Sequence, residues 1–128
     1  MRILFDTHAF LWAIENDAKL SLRARQVFSH TGNEVLLSVA SIWEILLKVE
    51  TGKLRSVGAT SSFIRTQCRK ACITILPILL EHVLRLESLP VHHRDPFDRI
   101  ILAQALEERI PIVSVDAKFR QYPVEVLW

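Results

Sequence analysis

Arg2-Ile3-Leu4-Phe5-Asp6-Thr7-His8-Ala9-Phe10-Leu11-Trp12-Ala13-Ile14-Glu15 passes from a short apolar run ending at Phe5 into apolar residues at helical spacing, Phe10, Leu11 and Ile14. A strand followed at once by a helix, with Asp6-Thr7 at the junction, opens an alternating βα pattern. The pattern continues along the chain. Helical spacing over residues 21–30 closes at Thr31-Gly32-Asn33, and residues 34–38 are β-type through Val35, Leu36 and Leu37. Residues 41–50 predict a helix through Ile42, Trp43, Ile45, Leu46 and Val49, stopped by Thr51-Gly52. A further helix is expected over 60–71, a strand over 73–76 ended by Pro77, and helical spacing over 79–89 ended by Pro90. A long helix over 96–109, a strand over 112–115 and a short edge strand over 124–127 complete the chain.

Strands apolar on both faces and separated by helices belong in a parallel sheet covered on both sides. The expected fold class is therefore α/β, a three-layer α/β/α sandwich around a central, mainly parallel sheet. At 128 residues the whole chain, 1–128, is expected to form one domain with one active site.

Half of the residues are apolar, but they come in short runs broken by charges, well below the roughly 18 needed to cross a bilayer. The first residues turn acidic at Asp6, without the apolar stretch of a secretion signal, so the expected location is the cytoplasm and no membrane partner is expected. So apolar a small chain leaves surface that a homodimer or another partner would cover, unless its core is simply dense. Cys68 and Cys72, without further thiols, are expected to be ordinary buried thiols rather than zinc ligands. A net charge of +2 excludes wholesale attraction to nucleic acid. The local clusters Arg23/Arg25, Lys48/Lys53/Arg55 and Arg65/Arg69/Lys70 are also what solvated helix faces carry.

Acidic residues carry more information than basic ones. In open parallel sheets, sites form outside the carboxyl ends of the strands. Asp6 follows the first strand and Asp116 follows Ile112-Val113-Ser114-Val115, so two strands distant in sequence deliver carboxylates to one edge. Taken singly, each reads first as a helix N-cap. Glu44 lies on the same side; Ser41-Ile42-Trp43-Glu44 also matches a capping box, and Lys48 stands four residues on. In His92-His93-Arg94-Asp95-Pro96-Phe97-Asp98-Arg99, Asp95 with Pro96 is a helix start. Asp98 shares a helix face with Ile101, Leu102 and Ala105, where an uncompensated carboxylate is costly. Asp6, Glu44, Asp98 and Asp116 would repel one another at one sheet edge, and a hard divalent cation, Mg²⁺ or Mn²⁺, would relieve that repulsion.

These residues resemble the PIN-domain family, and within it the VapC-type toxins of bacterial toxin–antitoxin pairs. The likeness rests on Leu4-Phe5-Asp6-Thr7-His8; on Ser38-Val39-Ala40-Ser41-Ile42-Trp43-Glu44-Ile45 with Lys48 and Gly52-Lys53-Leu54; on Leu89-Pro90 and His93-Arg94-Asp95-Pro96-Phe97-Asp98-Arg99 with Ala103-Gln104-Ala105; and on Val113-Ser114-Val115-Asp116 with Phe119. It covers nearly the whole chain. It implies a PIN-like three-layer fold, an acidic quartet of Asp6, Glu44, Asp98 and Asp116 that binds Mg²⁺ or Mn²⁺, and a ribonuclease toxin blocked by a cognate antitoxin. Asp6, Asp98 and Asp116 would hold metal, Glu44 would orient the shell or the attacking water, and Asp95 would cap its helix or reach the metal shell. Lys48 and Arg99 would steer RNA. The chemistry expected is attack of a metal-activated water on a phosphodiester of cellular RNA.

Three rivals are weighed against this. A metal-independent ribonuclease would use histidines as acid and base, and His92-His93 adjoins the acidic motif; its cleavage would survive EDTA. A phospho-receiver signalling domain needs an acid after the third strand, where this chain has Pro77, and an acidic pair after the first, where it has Asp6-Thr7. A catalytically inactive interaction module of the same fold would have no use for the intact acidic set.

Overall fold

The computed structural model describes residues 1–55 and 60–128. The chain runs β1 (Arg2–Phe5), α1 (Thr7–Ile14), α2 (Leu22–Ser29), β2 (Glu34–Ser38), α3 (Val39–Glu50), α4 (Thr60–Lys70), β3 (Thr74–Leu76), α5 (Leu80–Arg85), α6 (Pro96–Glu108), β4 (Ile112–Val113) and β5 (Val126–Leu127). Short 3-10 segments occupy Leu86–Ser88 and Ala117–Gln121.

Five strands form one sheet in the order β3-β2-β1-β4-β5, and every pairing is parallel. β1 lies at the centre, with Leu4 opposite Leu36 on one side and Ile112 on the other. Alternation along β1 supplies both faces of the core. Ile3 and Phe5 join Val35, Leu37 and Val113 beneath Phe10, Ala24, Ile45 and Ile64, while Leu4, Leu36 and Ile112 pack beneath Leu89, Ile101, Leu102 and Ala105. The sheet is thus covered on both faces, as expected of strands with no polar side.

Local chemistry sets the helix starts. Asp6 caps α1 through Ala9 N–H, Ser21 caps α2 through Ala24 N–H, and Asp95 caps α6 through Asp98 N–H with Pro96 in the first turn. α3 begins two residues earlier than its apolar spacing predicts, because Ser38 at the end of β2 accepts from Ala40 N–H and turns strand directly into helix. Ser41 and Glu44 therefore lie inside α3, and the capping box expected of them does not form. Thr51 ends α3 and Gly52 follows at φ +77°, the left-handed position that stops a helix.

Three further differences are local. The strand expected over 112–115 pairs only through Val113, because Ser114 Oγ accepts from Asp116 N–H and draws the chain into a turn. The helix over 79–89 is a shorter α5 that tightens into the 3-10 segment at Leu86. Cys68 is buried but Cys72, just beyond α4 at φ +53°, is exposed. Among the described residues no helix is long and apolar enough to cross a membrane.

Candidate active site

The strand order reverses direction at β1: β2 and β3 lie to one side and β4 and β5 to the other. Such a switch point opens a crevice outside the carboxyl ends of the two strands that flank it. Asp6 leaves β1 there, and Ser114 and Asp116 leave the neighbouring β4. α3 departs from β2 beside them carrying Glu44, and α6, which leads into β4, brings Asp98 in its first turn.

Asp6 is almost wholly buried, and its Oδ1 accepts from Ala9 N–H at 2.8 Å. Burial raises its pKa, opposed by hydrogen bonds from the Ser114 side chain and Ala9 N–H and by the charge of His8, with a further upward push from Glu44. Ser114 joins two acids: its hydroxyl donates to Asp6 and its oxygen accepts from Asp116 N–H at 3.0 Å.

Glu44 is equally buried, with both oxygens engaged. Oε1 lies 2.6 Å from Thr7 Oγ1, and Oε2 lies 2.6 Å from Lys48 Nζ. Thr7 Oγ1 is also 3.0 Å from Ser41 Oγ. A threonine has one hydroxyl proton and a carboxylate can only accept, so Thr7 donates to Glu44 and Ser41 donates to Thr7. The expected Glu44–Lys48 pair along α3 is present, and it consumes the lysine charge.

Asp98 is the most perturbed acid. Its carboxyl is pushed up to about 8, first by burial and then by the negative charges of Asp95, Asp6, Glu44 and Asp116. His93 Nε2 stands 3.0 Å from Asp98 Oδ2 and 2.8 Å from Asp116 Oδ2. The three residues offer ligand atoms all within 4.8 Å of one another.

The four acids expected from sequence thus reach one crevice, but not on equal terms. Asp98 and Asp116 meet directly around His93. Asp6 and Glu44 act on Asp98 through their charge, each turned toward its own donors. Asp95 spends Oδ1 on the Asp98 N–H, as a cap does, and adds its charge to the cluster. Lys48 is tied to Glu44. Arg99 donates to the carbonyls of Leu89, Pro90 and His93, so it holds the chain ahead of α6. His92 packs edge-on against Tyr122, and His93 is buried among acids.

Sequence reasoning did not assign roles to Thr7 or to His93 among the acids. The partners of His93 lie 5 and 23 residues away across a helix start, a separation that no periodicity marks. Thr7 had one signal, a hydroxyl beside Asp6 at the strand end.

The donor set suits a hard divalent cation. It consists of carboxylates from four separate elements; burial first and the other acids second raise the Asp98 pKa, and Lys48 is already paired with Glu44.

Residues 3–125 match the family model described as PIN domain. No curated protein sequence matches the chain. Among solved structures, the chain superposes on VapBC2 from Rickettsia felis bound to a DNA fragment from its promoter, with a TM-score of 0.74 at 14% identity, covering 98% of this chain and 97% of that one. VapBC-1 from nontypeable Haemophilus influenzae gives 0.70 at 14% identity, covering 98% and 96%. VapC20 from Mycobacterium tuberculosis, a toxin that cleaves the sarcin–ricin loop, gives 0.67 at 14% identity, covering 95% of each. At these identities the likeness is one of fold.

Proposed function

Because the chain belongs to the PIN domain family, we propose that it is a Mg²⁺- or Mn²⁺-dependent endoribonuclease, the VapC-type toxin of a toxin–antitoxin pair. The observation that carries this reading is the convergence of Asp6, Glu44, Asp98 and Asp116 from four elements on the sheet's switch point, where burial first and the neighbouring acids second push the Asp98 carboxyl up to about 8. Ionising Asp98 in this crowd costs stability unless a cation binds. Asp6, Asp98 and Asp116 would hold the ion, and Glu44, fixed by Thr7 and Lys48, would orient its shell or the attacking water.

A divalent cation bound there lowers the pKa of water and offsets charge developing on the phosphoryl oxygens. The protein's own groups position it. Ser114 couples Asp6 to the Asp116 backbone, and Lys48 balances Glu44, so the acids keep their places before substrate arrives. Lys48 and Arg99, expected from the sequence to steer RNA, instead brace Glu44 and the segment ahead of α6.

RNA as substrate and a cognate antitoxin as inhibitor are supported by the family and by the likeness to VapBC structures, to a toxin–antitoxin complex and to a sarcin–ricin loop cleaving toxin; the cytoplasm is the workplace proposed for it. A homodimer is supported by the apolar surface that Trp43, Leu80, Val83 and Leu84 leave exposed.

The test is incubation of the purified, antitoxin-free protein with total cellular RNA in Mg²⁺, Mn²⁺ or EDTA, followed by end-mapping of fragments. Discrete fragments carrying 5′-phosphates are expected with metal only. Asp98→Asn should abolish them; equal cleavage by the variant, or cleavage in EDTA, overturns the reading.

A further inference from the structure

We propose that His93 is a positioning residue for the cation site: held as its Nε2–H tautomer, it gives one shared hydrogen bond to Asp98 and Asp116 and sets the spacing at which these two carboxylates meet a cation. The inference rests on reading the acidic crevice as a cation site.

The tautomer follows from the partners. Asp95 N–H points at His93 Nδ1 at 3.3 Å. A backbone amide can only donate, so Nδ1 accepts and carries no proton, and the ring proton belongs on Nε2. Nε2 faces Asp116 Oδ2 at 2.8 Å and Asp98 Oδ2 at 3.0 Å, each a carboxyl oxygen able to accept from it. A nitrogen that donates has no lone pair for a metal, so His93 in this arrangement is not itself a ligand despite standing among three ligand-type side chains. It acts through the acids.

The ring is placed by the rest of the chain. Residues 89–93 are held from two sides. Tyr122 Oη accepts from His92 N–H at 3.0 Å and His93 N–H at 2.9 Å, and donates to Pro90 O at 2.7 Å. Arg99 donates from Nη1 to Pro90 O and His93 O, and from Nη2 to Leu89 O. Phe119 packs against the imidazole with ring centroids 5.4 Å apart. Both backbone groups of His93 are therefore fixed, its face is packed, and both ring nitrogens are satisfied. A side chain so held dictates where its acceptors sit. Asp116 is fixed further by Lys118 N–H, which donates to its other oxygen at 2.9 Å. Two carboxylates from different elements, α6 and the turn after β4, are thereby joined through one proton.

Two measurements test this. In the metal-free wild-type protein, under conditions where the ring is neutral, two-bond ¹H–¹⁵N correlations should place the His93 ring proton on Nε2 and leave Nδ1 bare; the opposite tautomer overturns the proposal. Calorimetric titration with MnCl₂ should show binding weakened about tenfold or more in His93→Leu. His93→Gln, whose amide can place a donor near Nε2, should recover most of that loss, with both variants titrated at a temperature where circular dichroism shows them as fully folded as the wild type. If the wild type takes up no Mn²⁺, the cation-site reading fails and the role of His93 fails with it. If the wild type binds and His93→Leu binds equally well or better, only the assignment of His93 falls.

Discussion

At the scale of single residues, Asp98 joins stability to function. Its folded pKa, about 8, lies well above the ordinary carboxyl value of about 4. Between those values the unfolded chain has released a proton that the folded chain retains, so metal-free stability falls as pH rises across that window and levels off above it. Asp98→Asn keeps the shape and removes the charge. In EDTA at pH 8 the variant should be more stable than wild type, by up to about 5 kcal/mol in urea unfolding, and the difference should vanish below about pH 4. A variant equally stable at both pH values would show that the charges at this crevice are already balanced. The same residue was legible in sequence because an acid on the apolar face of a helix conflicts with its neighbours. Glu44 was legible as an acid at the right edge, but its local context was misread: Ser41, three residues before it, looks like a cap until Ser38 is seen to start the helix. His93 was not legible as a partner of the acids, since no local rule links it to Asp116.

At the scale of elements, apolar spacing located the α-helices and strands of the described residues but not the 3-10 segment Ala117–Gln121, and side-chain hydrogen bonds moved their ends. Ser38 lengthened α3, Ser114 shortened β4, and Pro96 with Asp95 set α6 where expected. The segment between the 3-10 turn at Leu86–Ser88 and α6 is the case that spacing could not describe, because its order comes from outside itself. Tyr122, from just beyond the 3-10 segment Ala117–Gln121, satisfies two of its amides and one carbonyl with a single hydroxyl. Tyr122→Phe leaves the His92 and His93 amides without that acceptor, while Pro90 O keeps Arg99. The expected loss is about 1–3 kcal/mol in urea unfolding, the cost of stranding buried polar groups. Hydrogen exchange should also quicken at His92 and His93 first; unchanged protection there would mean that Arg99 alone orders the segment.

At the scale of the molecule, the parallel order β3-β2-β1-β4-β5 accounts for the location of the acids, since only at β1 does the chain turn back to the opposite side of the sheet. That the strands were parallel and covered could be read from their two apolar faces; their order could not, because parallel partners are joined through crossovers that leave no mark of which strand lies next to which. The same limit applies to the surface. Trp43, Val83 and Phe97, separated by tens of residues, line one apolar groove of about 240 Å³ with Ala40, Ile78 and Ile100. Trp43 and Phe97 meet edge-to-face at 4.9 Å at its rim, and each directly precedes an acid of the crevice in sequence. A second copy seated on this face would bury the exposed Trp43, Leu80 and Leu84 and bring two crevices close together. Val83, about half exposed, is the position at which to test it, because a charge there meets water in a monomer but apolar surface in a dimer. Light scattering after size exclusion should give the wild type twice the mass of one chain and Val83→Lys the mass of one, with the same circular dichroism. A monomeric wild type would leave the groove to a different partner, and a dimeric Val83→Lys would place the contact between copies on another face.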